Sequence, residues 1–182
     1  GAGEACWGYG CLGLGTISGT FSDAPVFTYP NVPADSSGFG TVSLKTNIPT
    51  VGAVEFSMGY GTTLAGSSAY SHVFVFWPLD SAGTSIDQTK ELRFLVSKTA
   101  SYKAGASFDL SKPDQVEIRY KEYAYDSNSN LTKEQMRGAA WDGTLQFSKA
   151  GSGNKAPASG SVTGRMAHYE STFCGAGTTP CK

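Results

Sequence analysis

The chain has 182 residues, a formal net charge of -1 and only 16% charged residues against an average of about 25%. That length fits one domain with a full two-layer core, and the near-zero charge leaves no electrostatic footprint for nucleic acid or anionic lipid. The longest apolar run, VFVFW at 73–77, is far too short to span a bilayer as a helix. Gly (23 residues), aromatic residues (12%) and abundant Ser and Thr describe short strands joined by turns, so an all-β chain is expected rather than a helical one.

In chain order, the first feature is CWGYGC at 6–11, which carries Cys6, Trp7, Tyr9 and Cys11. Its counterpart is the pair Cys174 and Cys181, with no cysteine between the two ends. Structural zinc hooks use tighter Cys-x2-4-Cys spacing, and a redox pair wants Cys-x-x-Cys at a helix start. Disulfides that fix the termini are therefore expected, which implies a secreted, periplasmic or cell-surface setting. Local pairs (Cys6 with Cys11, Cys174 with Cys181) and a nested set (Cys6 with Cys181, Cys11 with Cys174) both remain open. The nested set is slightly preferred, because joining distant ends stabilises by roughly 5 kcal/mol in the loop-closure picture.

Strand-like runs follow at Leu12 to Ser22, Val42 to Thr46, Val54 to Met58, His72 to Trp77, Glu91 to Val96, Ala106 to Asp109, Gln115 to Tyr125, Thr144 to Ser148 and Ser161 to Glu170. About nine strands at this spacing are typical of a sandwich or barrel, and an antiparallel β-sandwich, jelly-roll-like, is expected as a single domain over 1–182. HVFVFW and LRFLV are apolar on both parities, as strands covered on two faces would be. From Gln115 to Tyr125 one parity is apolar and the other polar, and Tyr123 and Tyr125 fall on the polar side. Prolines 25, 30 and 33 break the stretch 23–40, and 151–160 reads as a long Ser/Gly/Ala loop. GTISGTF at 15–21 and GSVTGRM at 160–166 share one pattern, which places them side by side as first and last strands.

One helix is expected at 131–140, where LTKEQMRGAAW holds good helix formers, with Asn130 or Thr132 as N-cap and Glu134 in the first turn. The stretch just before it sets Asp126, Asn128 and Asn130 in a D-x-N-x-N series that resembles the start of an EF-hand loop. Leu131 at the glycine position and Arg137 at the bidentate-acid position rule out an EF-hand proper, leaving an Asx-rich turn or a looser calcium site with Glu134. No other cofactor is expected. Asn130-Leu131-Thr132 also fits the N-glycosylation pattern.

No residues spell out a reaction. His72 and His168 sit in strand patterns, no G-x-S-x-G elbow occurs, and the strand-borne acids Glu55, Glu91, Glu117, Glu122 and Glu170 read equally as solvated faces. The expectation is a non-enzymatic structural, adhesive or self-assembling subunit that contacts a protein partner or its own copies through Trp7, Tyr9, Tyr123 and Tyr125. A strand-like segment such as CLGLGTISG could be donated to a neighbouring sheet. The alternative is a glycan- or small-ligand-binding module that uses Trp77 or Trp141, and the third is a hydrolase built on two carboxylates.

Overall fold

In the computed structural model, residues 12–32, 39–174 and 179–180 are described, with backbone alone for 172–174 and 179–180. Among the described residues, eleven strands run in chain order: β1 Leu14–Thr28, β2 Thr41–Ile48, β3 Gly52–Phe56, β4 Met58–Thr63, β5 Tyr70–Trp77, β6 Lys90–Ser97, β7 Ser107–Asp109, β8 Val116–Tyr125, β9 Leu131–Lys149, β10 Ala156–Cys174 and β11 Thr179–Pro180. The all-β, antiparallel architecture expected from composition is what forms. Among the described residues, no helix is long and apolar enough to cross a membrane.

The strands make one hydrogen-bonded sheet in the order β11-β10-β9-β8-β6-β5-β4-β1-β2-β3, with β7 on β9. The sheet then closes on itself, because β1 also pairs with β10 along Leu14–Val26 while its last three residues pair with β4 in parallel. Closure removes most of the open edge that a free sheet would expose to other chains. β2 and β3 continue from the first half of β1 and fold over β8 and β9. Phe56 meets the Tyr120 ring at 6.2 Å, and a Cβ placed on Gly138 would lie 2.5 Å from Ile48 Cδ1.

The two segments matched in sequence do pair. Inward positions alternate glycine against a large side chain: Gly15 opposite Met166, Ile17 opposite Gly164, Gly19 opposite Val162, and Phe21 opposite Gly160. Elsewhere aromatic rings lie over glycine in the same way: Phe76 faces Gly59, Phe74 faces Gly61, and Tyr120 faces Gly138. A glycine leaves a bare stretch of backbone, and the opposing ring covers it while filling the interior. Phe21 sits at the centre, with the rings of Phe74, Phe76, Phe94 and Phe147 all within 6.0 Å.

β5 and β6 are buried on both sides, as their double-parity sequences predict. Phe74, Phe76, Leu92, Phe94 and Val96 join the main core, whereas Val73, Val75 and Leu95 form a second cluster with Tyr60, Leu64, Tyr70 and Trp77. Phe39 packs on that second face against Tyr60 and Trp77.

Three expectations are corrected. The helix at 131–140 is instead the first half of β9, hydrogen-bonded to β8 on one side and β10 on the other. Helix propensity is a weak prior, and here the side chains follow period two. Glu134 turns to Lys121 on one face, and Gln135 and Arg137 turn to Glu170 on the other. Neither proposed N-cap caps: the Asn130 amide donates to Asp126 Oδ1, and the Thr132 hydroxyl donates to the Ala124 carbonyl. Second, β1 does not stop before Pro25, since that residue lies opposite Pro157, so that position needs no amide donor on either strand. Third, the long loop ends early, because β10 begins at Ala156.

Candidate functional site

Cys6, Trp7, Tyr9, Cys11 and Cys181 lie outside the described residues, as does the side chain of Cys174, so the disulfide pairing and the Trp7 and Tyr9 contact surface lie outside them too. The donated-strand expectation is corrected over residues 14–19, because this segment already pairs with β10 on one edge and, from Thr16, with β2 on the other. From Thr16 to Gly19 both edges are occupied.

Tyr123 and Tyr125 are brought together. Both project from the same face of β8, with ring centroids 6.4 Å apart and planes 31° from parallel. The order β5-β6-β8 places Trp77, Glu91 and Arg93 beside them, and Gln88 and Leu131 complete a groove of about 280 Å³. Glu91 is only 5% exposed. Its carboxylate lies 3.1 Å from Arg93 Nε, off the direct hydrogen-bond line, and close enough to Tyr123 for its charge to act on that hydroxyl. Burial, then the charge of Glu91, pushes the Tyr123 hydroxyl above its ordinary pKa, so it remains a proton donor. The groove thus combines flat aromatic faces with a carboxylate, a guanidinium and an amide. Tyr125 is 43% exposed and open to a ligand.

The proposed calcium residues have other work. Asp126 Oδ1 accepts the backbone amides of Asn128 and Asn130, each at 2.9 Å, which closes the β8–β9 turn. Those amides hold its carboxyl below the usual range. Glu134 is engaged by Lys121 Nζ at 2.6 Å. Among the described residues, no group of three or more His, Cys, Asp or Glu is arranged for a metal.

Two other clusters were not visible in the sequence. His72, buried at the start of β5, has Nε2 3.0 Å from Ser152 Oγ and Nδ1 2.9 Å from Ser71 Oγ. Burial lowers its pKa, which favours the neutral imidazole. A serine beside a neutral histidine is half of a nucleophile relay, but the orienting group here is a hydroxyl rather than a carboxylate.

At the far end of β8, β9 and β10, Arg137 bridges two of the strand-borne acids, Glu122 at 2.8 Å and Glu170 at 3.1 Å. Tyr120 donates to Glu122, and Glu170 lies 2.7 Å from His168 Nε2. Partial burial opposes ionisation of Glu170, yet His168 and Arg137 outweigh it and hold its carboxyl below the ordinary 4.5. A glycosidase acid needs a raised pKa, so Glu170 is not placed as the proton donor of such a pair.

A carboxyl with a depressed folded pKa adds stability that is present above its unfolded value and lost as pH falls through the folded one. Glu170→Gln should therefore lower stability at neutral pH and flatten the acid limb below pH 4.5. Urea unfolding at a series of pH values checks this, and parallel acid limbs for the two proteins would contradict it.

Neither a family model, nor a curated protein, nor a solved structure matches the chain.

Proposed function

We propose that this protein is a non-enzymatic, secreted or cell-surface binding module that takes a saccharide ring in the groove formed by Trp77, Tyr123 and Tyr125. The observation that carries the reading is the placement of these three aromatic side chains around the Glu91–Arg93 pair. Sugar rings offer an apolar C–H face, which stacks on aromatic planes, and a rim of hydroxyls, which pair with planar polar groups. Glu91, Arg93 and Gln88 supply such groups at the edge of the aromatic surface. At about 280 Å³ the groove lies below the usual range for drug-sized ligands, which favours one terminal ring over a long chain. The cysteines near both ends support an oxidising compartment, where surface glycans are met. Adhesion through glycans fits the same surface.

A glycan array followed by titration with the selected sugar tests the proposal. The expected result is saturable binding with a change in Trp77 fluorescence, weakened about tenfold by Tyr125→Ala, the scale of one lost aromatic contact. Tyr125 is exposed enough that its removal leaves the fold intact. Retention of full affinity in Tyr125→Ala and Trp77→Ala, or no sugar bound at all, would sink the proposal.

A further inference from the structure

A second feature owes nothing to that groove. β8 and β9 pair only from Arg119 opposite Ala139 out to the turn. Inward of that point they part. Val116–Ile118 has strand partners on the β6 side alone, and β9 is next engaged on that edge at Gly143, whose carbonyl accepts the Leu110 amide, and at Thr144, opposite Asp109 of β7. The split holds a cavity of about 620 Å³ that shares no residue with the Trp77 groove. Leu110, Val116, Ile118, Met136, Ala140 and Trp141 give it a mainly apolar lining.

We propose that this split is a binding site for one neutral, largely apolar small molecule with a hydrogen-bonding group. Three observations select that occupant. The volume falls within the usual range for small-molecule sites. The opening is closed at one end by the β8–β9 pairing and at the other by β7 on β9, and it spans three residues of β8, about 10 Å of strand, too short for an added peptide strand. The charged groups around it are already paired: Glu117 with Arg119 and the Tyr70 hydroxyl, and Asp142 with Arg165 at 2.9 Å. A charged ligand would meet no free counter-charge there. A neutral one can meet the backbone groups of the parted strands, which have no ladder partner across the split.

The test uses the intact chain and the uncharged dye N-phenyl-1-naphthylamine, which brightens in apolar sites. One dye per chain should bind saturably and quench Trp141. Amide resonances of Val116–Ile118 and of residues 140–142 should shift, while those around Trp77 stay in place. Ala139→Phe, which fills the cavity from its β9 wall, should weaken binding about tenfold or more. Met136→Trp serves if that variant fails to fold. The proposal is overturned by absence of saturable binding, by shifts confined to residues outside the split, or by unchanged affinity in the folded filled variant. Sugar binding at Trp77 is read separately, by whether the selected saccharide displaces the dye. No displacement is expected, and competition would overturn the assignment of the dye to this split.

Discussion

Phe21→Ala is expected to cost about 3–5 kcal/mol, the range for removing a fully buried ring that the core cannot close over. The ring is 1% exposed and touches aromatic neighbours from β5, β6 and β9 at once, so no single shift of one strand can fill the space it leaves. It also covers Gly160, which lies 2.8 Å from the ring when given a Cβ and has no side chain to offer in compensation. For a chain of this length the loss corresponds to a fall in Tm of roughly 10 °C. Phe21→Leu keeps most of the volume and should cost well under half as much. Thermal and urea unfolding of the two variants decides the matter, and a loss below about 1 kcal/mol for the alanine variant would mean that the centre of the core lies elsewhere.

Gly19→Ala should be comparably damaging, although it adds one methyl group. Gly19 has φ +133°, a conformation that side chains rarely adopt, and a Cβ there would lie 2.0 Å from the Ser43 carbonyl oxygen and 2.8 Å from Leu44 Cα. The obstacle is backbone on β2. β1 cannot move away from it, because its other edge is held by β10 at Val162. Backbone strain of about 1–3 kcal/mol then adds to the cost of prising β1 from β2, for a total of about 3 kcal/mol or more. Gly66 is the control: its φ is +84°, but nothing lies within 4 Å, so Gly66→Ala carries the strain alone. Hydrogen exchange should show β2 amides opening first in Gly19→Ala. Equal stability of the Gly19 and Gly66 variants would contradict the close-approach argument.

Strands were readable in the sequence wherever one face is apolar. Each of the nine expected runs overlaps a strand, although Val54 to Met58 crosses the break between β3 and β4, and β8 keeps its alternation from Val116 to Tyr120 before a bulge at Lys121 interrupts it. The pairing of GTISGTF in β1 with GSVTGRM in β10 was readable too, from the glycine pattern they share. β4 was hidden because MGYGTT has little strand propensity of its own; its glycines are made acceptable by Phe74 and Phe76, which arrive from β5. The start of β9 was misread because its long polar side chains suit a helix as well as a strand with charged partners on both faces. In the groove, the exposed parity of Tyr123 and Tyr125 could be read, but Glu91, Arg93 and Trp77 could not be joined to them without the strand order. The split between β8 and β9 has no local signature, being a place where hydrogen bonds are not made.

The ring-over-glycine pairs also determine how such a chain can change over generations. For Gly61, every nearest obstacle to a methyl group is a side chain: the Phe74 ring at 2.7 Å and Val26 Cγ2 at 3.0 Å. Its intolerance is conditional on its neighbour. A single-site scan would score Gly61 and Phe74 as two invariant positions, whereas together they behave as one epistatic unit, open to an exchange of bulk from one strand to the other. Divergent copies of this fold would then carry their glycines and rings at swapped positions, with the interior volume conserved and neither residue conserved by itself.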